Sequence, residues 1–250
     1  MQLHTSEALL LDVFDLAEYD RIVSFLTPEQ GRLKGVARGA RRKHSRFAGQ
    51  LQPLAKVELT WFAKESRELV RISSVDLVRP AERLGRDLET LLVGGYLADH
   101  VLEFAQEYEE SRRLYRLLDS TVAALLGGVD VSLAARYFEV WVLRLSGVFP
   151  EPSECARCGA SVLERGATLP HGETAFVCRD CHRGSDEERV SDEALRTLVR
   201  MRFQSLPEMA AEPPAAEALR GVEAICRIVR RHFLQKELRS YRVLQQALNP

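Results

Sequence analysis

The chain has 250 residues, 46% hydrophobic and 28% charged, with 35 Lys and Arg against 36 Asp and Glu for a formal net charge of −1. This balance excludes a disordered, collagen-like or disulfide-dense chain, and it excludes one single-sign field spread over the whole molecule. No apolar run approaches the ~20 residues that cross a bilayer, and the first residues carry neither a basic start nor a signal-type apolar core. Four of the five cysteines fall in two CxxC pairs, an inventory that suits metal thiolates in a reducing compartment better than a secreted disulfide framework. A cytoplasmic protein with no membrane partner is expected.

Residues 1–80 read as a β-rich unit. Apolar and β-branched runs at 7–14, 21–26, 32–37, 55–63 and 69–78 are separated by turn-forming stretches such as Thr27-Pro28-Glu29-Gln30-Gly31. No helix-length segment lies between consecutive runs, so five short strands predict a small barrel or sandwich.

Within this unit, no acid occurs between Glu29 and Glu58, yet the segment holds eight cations: Arg32, Lys34, Arg38, Arg41, Arg42, Lys43, Arg46 and Lys56. The near-neutral total hides a local cation field. Small residues at Gly35, Ala37, Gly39 and Ala40 would let backbone approach phosphates while Arg and Lys neutralise them. A solvated loop without a partner is the alternative. Phe47, Trp61 and Phe62 are either stacking platforms for bases or core residues.

From residue 81 the period changes. Leu84, Leu88, Leu91, Gly95, Ala98 and Leu102 recur by three and four, predicting one long helix whose glycine admits a close neighbour. A second helix carries Leu114, Leu117, Leu118, Val122 and Leu125 and stops at Gly127; a third runs from a cap at Ser132 to Gly147. Helical domains are thus expected at 81–150 and 189–250, the latter interrupted between Pro207 and Pro214 and ending in a basic helix with Arg220, Arg227, Arg230, Arg231, Lys236, Arg239 and Arg242. That helix is either a solvated face or a contact for nucleic acid or an acidic peptide.

Between the helical parts, at 151–188, lies an inserted module opened by Phe149-Pro150-Glu151-Pro152. Cys155-Ala-Arg-Cys158-Gly159 and Cys178-Arg-Asp-Cys181 form a C-x2-C-x19-C-x2-C pattern, the spacing of a zinc ribbon. Four thiolates leave no open coordination position, so one structural Zn2+ is expected. Short β-prone runs at 161–163 and 175–177, with a turn at Pro170-His171-Gly172, would hold the knuckles. A redox dithiol is the alternative, although neither pair has the strand-to-helix context of one. His171 and His182 are substitute ligands, and Cys226 reads as a small buried hydrophobe.

No P-loop, zinc-deaminase or HExxH motif is present, and paired acids such as Glu109-Glu110 read as solvated surface. No enzyme is expected.

The β-rich start, the basic segment Val36-Ala37-Arg38-Gly39-Ala40-Arg41-Arg42 followed by Ser45-Arg46 and Leu51-Gln52-Pro53-Leu54, the cysteine module within a helical body and the terminal Leu238-Arg239-Ser240-Tyr241-Arg242-Val243-Leu244 together resemble the bacterial recombination mediator family RecO. The resemblance implies an α+β multidomain chain: an OB-fold barrel, then an all-α domain with an inserted four-cysteine zinc module. It implies a DNA repair mediator that binds single- and double-stranded DNA without sequence preference, through Arg32, Lys34, Arg38, Arg41, Arg42, Lys43 and Arg46. It also implies strand annealing, and action with RecR to replace single-strand-binding protein, whose acidic C-terminal tail is a further partner. A protein adaptor with no DNA contact is the runner-up, and a metal-dependent nuclease, which needs an open metal position, is a third.

Overall fold

The computed structural model describes residues 2–63, 69–170, 172–182 and 189–248. The chain divides into two compact units, Met1–Gly127 with Leu238–Pro250, and Gly128–Glu237.

The first unit contains the five expected strands: β1 (Gln2–Leu16), β2 (Asp20–Thr27), β3 (Gly31–Ala37), β4 (Lys56–Ala63) and β5 (Val70–Arg79). The order β1-β2-β3-β5-β4 returns to β1 as an OB-like barrel. β1 is longer than its apolar run because it serves two partners. Residues 2–9 pair with β4 and residues 9–16 with β2, the change of partner marked by an irregularity between Leu10 and Asp12.

The ring closes where β3 runs parallel to β5 through only two residue pairs, Gly35 with Val70 and Val36 with Arg71. A Cβ at Gly35 would lie 2.8 Å from Ile72 Cγ1 and 2.9 Å from Val70 Cγ2, so this glycine serves barrel packing and not phosphate approach. Phe25, Leu33, Leu59, Trp61 and Ile72 fill the interior. Trp61 stacks on His4 at 5.5 Å and meets the edge of Phe25 at 5.6 Å.

The long helix expected from Leu84 is broken. A short 3-10 helix (Glu82–Arg86) is followed by α1 (Leu88–Phe104), because extended Asp87 caps α1 by accepting a hydrogen bond from the Thr90 amide at 2.7 Å. That amide holds the Asp87 carboxyl below its usual range. The predicted stripe is buried only in part: Leu84 and Ala98 are buried but Leu88 and Leu91 are exposed, while Val93, Tyr96, Leu97, His100 and Val101 are buried. Gly94, not Gly95, makes the close approach: a Cβ there would lie 2.9 Å from Leu54 Cδ1, in the loop before β4. α2 (Arg112–Leu126) and α8 (Arg239–Leu248) complete this unit; Tyr241 of α8 packs on Tyr96 and Ser240 Oγ donates to Asp99 at 2.6 Å.

The second unit contains α3 (Val131–Leu145), the cysteine module, α5 (Asp192–Phe203), α6 (Leu206–Ala211) and α7 (Ala216–Leu234). The α3 cap is Asp130, which accepts from the Leu133 amide at 2.8 Å, rather than the expected Ser132. The stretch read as an interruption from Pro207 holds α6, because Pro207 lies in the first turn, where a missing N–H costs nothing. Trp141 Nε1 donates to the Met201 carbonyl at 3.0 Å and ties α3 to α5.

Behind α7 lies a buried ion network. Glu139 accepts from Arg230 at 3.0 Å and contacts Arg136 at 2.7 Å; Arg136 reaches Glu223 at 2.8 Å and Arg230 reaches Glu237 at 2.7 Å. Removing the central acid leaves two buried guanidiniums facing each other. Glu139→Ala is therefore expected to lower stability by about 3–5 kcal/mol, read as a fall in the urea midpoint; an unchanged midpoint would show that the network carries no stability.

The terminal basic helix is also revised. It is two helices, since Gln235 adopts a left-handed conformation that ends α7 (φ 55°), and Arg230 turns inward instead of being displayed. Among the described residues, no helix is long and apolar enough to cross a membrane.

Candidate nucleic-acid interface and metal centre

The predicted cations fall into two groups. Arg32 on β3 is held by Glu107 at 3.1 Å, and Lys56 on β4 by Glu7 at 3.0 Å and Asp119 at 3.2 Å. Arg41 contacts Asp15 at 3.4 Å and donates to the Ala17 carbonyl at 3.3 Å. Those three are internally compensated. Lys34, Arg38, Arg42, Lys43 and Arg46 are exposed, and none has a carboxylate partner among the described residues.

Four of these five lie on the β3–β4 connection, which is a chain of tight turns and not a slack loop. Arg42 N donates to Gly39 O, Ser45 N to Arg42 O, Ala48 N to Ser45 O and Gln50 N to Phe47 O, at 3.0 to 3.2 Å. Ala40, Phe47, Leu51, Leu54 and Ala55 are buried and anchor the connection between its cations. Burying those side chains commits the intervening Arg and Lys to solvent. Lys34, on β3, stands apart from this connection in sequence.

The connection is pinned to the β1–β2 hairpin. Arg41 N donates to Tyr19 O at 3.0 Å, and Gly39 N donates to Asp20 Oδ1 at 2.7 Å. The Arg42 guanidinium lies over the Tyr19 ring, 5.4 Å from its centroid. A hydrogen bond with Glu18 raises the Tyr19 phenol pKa, against the opposing effect of Arg42.

The aromatic candidates named from sequence do not form platforms here. Trp61 and Phe47 are 1% and 2% exposed and belong to the core, and Phe62 is only partly exposed. In the hairpin to which the connection is pinned, Phe14 and Tyr19 are exposed instead, at 45% and 44%. Sequence reasoning missed both. Tyr19 lies in the turn at 17–19 and Phe14 near the end of β1, where a large ring has no interior to enter.

The four cysteines converge. Their sulfurs lie within 4.8 Å of one another, and Sγ of Cys158 is 3.7 Å from Sγ of Cys178. A tetrahedron of ~2.3 Å metal–sulfur bonds has edges of about 3.8 Å, so the donor set fits a thiolate-preferring metal ion. The first knuckle is closed by Cys155 N to Ala160 O and Gly159 N to Cys155 O, both 2.8 Å, with Gly159 at positive φ (70°). The second closes through Cys181 N to Cys178 O at 3.0 Å.

A small sheet joins the knuckles: β6 (Ala167–Thr168) lies between β7 (Val177–Cys178) and β8 (Arg189–Val190). The expected run at 161–163 instead enters a single helical turn, α4 (Val162–Arg165). The second β-prone run is represented by β7. Pro170 O accepts from Glu173 N at 3.0 Å across the expected turn; His171 lies outside the described residues.

The thiols differ in acidity. Burial raises the Cys155 pKa, but amides of Cys178, Arg157 and Cys158 outweigh it and bring the value to about 6; the neighbouring sulfurs of Cys158 and Cys178 push Cys181 up to about 12. A bound cation would favour the thiolate form of Cys181 that its neighbours oppose. His182 is not part of the sulfur cluster, and Cys226 is fully buried on α7, where burial raises its pKa.

Comparison with known proteins covers nearly the whole chain. Residues 1–81 match the family described as Recombination protein O N terminal and residues 85–242 match Recombination protein O C terminal. The chain is 31% identical over 239 residues to the DNA repair protein RecO of Anaeromyxobacter sp. (strain K), covering 95% of this chain and 94% of that protein. It is 32% identical to the DNA repair protein RecO of Roseiflexus sp. (strain RS-1), covering 96% and 84%.

Proposed function

The chain belongs to the RecO family of DNA repair proteins, and from that premise we propose that it binds single- and double-stranded DNA without reading sequence and anneals complementary strands. One observation carries the reading: Arg38, Arg42, Lys43 and Arg46 have no carboxylate partner among the described residues and lie on a connection whose buried anchors commit them to solvent. Phosphates supply the missing anions, and release of their counterions drives binding irrespective of base identity. Lys34, Arg32 and Arg41 lie on the same unit; the latter two act after exchanging a carboxylate for a phosphate. Phe14 and Tyr19 offer ring faces to unstacked bases beside those cations.

Annealing follows from the same charge. Two strands repel as polyanions, and a protein that neutralises part of each lowers the barrier to their encounter. No group is required to make or break a bond, so the protein is a mediator rather than an enzyme. Its partners are RecR and the acidic C-terminal tail of single-strand-binding protein, and its place is the bacterial cytoplasm, at the nucleoid.

Cys155, Cys158, Cys178 and Cys181 hold one structural zinc. All four positions are taken by thiolates, so the ion cross-links the module and does not activate water.

Strand annealing tests the reading. The protein is expected to accelerate pairing of complementary oligonucleotides, both naked and coated with single-strand-binding protein, with no strand cleavage in Mg2+. Pairing at the spontaneous rate would count against it.

A further inference from the structure

A groove of about 1240 Å³ runs along α7 in the second unit, away in sequence from the barrel cations. Its lining extends from Glu217 to Gln235, about 27 Å at ~1.5 Å rise per residue, and its opposite wall comes from the cysteine module and the start of α5, including Leu169, Pro170 and Ser191. Volume and length exceed those of an ordinary small-molecule pocket and suit a chain.

Arg220, Arg227 and Arg231 line this groove, are exposed, and have no carboxylate partner among the described residues. Two of the three acids of the lining are already engaged, Glu173 by Arg157 at 2.9 Å and Glu237 by Arg230 at 2.7 Å, and the third, Glu217, is exposed at the far end of the helix from Arg227 and Arg231. The three guanidiniums span eleven residues of helix, about 16 Å, along one wall. Each offers the flat fork that grips phosphate oxygens.

We propose that this groove is a second nucleic-acid site, which holds a single strand with its phosphates on Arg220, Arg227 and Arg231. The groove pairs these cations with apolar groups: Ile228 is exposed between Arg227 and Arg231, and the opposite wall includes Leu169 and Pro170, which are themselves largely buried. A single strand has that composition, charged along one edge and flat and apolar along the other. A second site gives one chain a hold on two strands, which annealing requires. The inference rests on the proposal that the protein binds nucleic acid, but it uses different residues.

The test titrates a labelled oligo(dT) against the full-length protein over a range of salt. Three variants are compared: Arg227→Ala with Arg231→Ala, the barrel variant carrying Arg38, Arg42, Lys43 and Arg46 all changed to Ala, and the combination. These side chains are exposed and lie outside the buried ion network, so the fold is retained. The groove variant is expected to bind about tenfold more weakly at physiological salt and to lose about 1.4 from the slope of log affinity against log salt. The combination is expected to abolish the binding left in the barrel variant.

A groove variant with wild-type affinity and slope overturns the inference and leaves the barrel reading standing. A barrel variant with wild-type affinity, beside a weakened groove variant, overturns the barrel reading and upholds the groove. Poly-glutamate that binds wild type but not the groove variant, with oligo(dT) affinity equal in both, assigns the groove to an acidic peptide and also overturns the inference.

Discussion

Cys178→Ser is expected to release the metal and unfold the module around residues 155–182 while the barrel stays folded. The Cys178 side chain is fully buried, its residue pairs with Ala167 in the sheet, and its sulfur lies 3.7 Å from that of Cys158. The sheet strands are only two residues long, so the proposed ion would be a main link between the two knuckles, beside their own backbone hydrogen bonds. A four-thiolate zinc contributes on the order of 10 kcal/mol to the folding of such a module, more than the ~5–15 kcal/mol scale of whole-domain stability can spare without local loss. The two tryptophans separate the outcomes, because Trp61 lies in the barrel and Trp141 in the second unit. Metal analysis should fall from about one zinc per chain to none, and the melting step reported by Trp141 should move down while that of Trp61 holds. Cys226→Ala should keep its metal, since that thiol lies outside the cluster. Undiminished zinc and an unaltered melting curve in Cys178→Ser would refute the assignment.

The second large effect is on DNA affinity. Changing Arg38, Arg42, Lys43 and Arg46 together to Ala should reduce the slope of log affinity against log salt by about 2.8 on single strands, from roughly 0.7 per phosphate. At physiological salt this corresponds to about a hundredfold weaker binding, similar for homopolymers of any base. Arg32→Ala should do much less, because Glu107 already compensates that charge at 3.1 Å and the phosphate must displace it. Equal losses from Arg32→Ala and from the fourfold change would mean that compensation inside the protein does not decide which cations bind. The four side chains of the fourfold change are exposed, so its circular dichroism and urea midpoint should be unchanged.

Much of this architecture is legible in the sequence because the relevant signals are local. Five apolar runs separated by turn residues correspond to five strands, and two CxxC pairs nineteen residues apart correspond to one sulfur cluster. What the sequence hides depends on contacts between distant residues. Gly35 looks like a site for close phosphate approach until β5 is laid against it, when Val70 and Ile72 take the space. Leu88 and Leu91 share the period of a core face, but the face that α1 buries is set by the barrel and α8 beside it, and it carries Tyr96 and His100 instead. Asp87 and Asp130 are start signals that a leucine count passes over.

The functional surface divides in the same way. A run of eight cations without an acid marks the proposed interface, but only folding shows that Glu107, Asp15, Glu7 and Asp119 reach three of them from elsewhere in the chain. Tyr19 enters because a backbone amide of Arg41 ties the basic connection to the hairpin. The terminal basic helix divides because Gln235 turns left-handed; within α7, Arg230 is drawn inward by Glu139 and Glu237, while Arg220, Arg227 and Arg231 lie along a groove.

The most direct measurement of the central claim is the affinity of the full-length protein for oligonucleotides of unrelated sequence, each titrated at several salt concentrations. Binding that is equal across sequences, with a log–log slope of about −2.8 or steeper on single strands, is the predicted result. Binding that is indifferent to salt, confined to one sequence, or absent at low salt would contradict it.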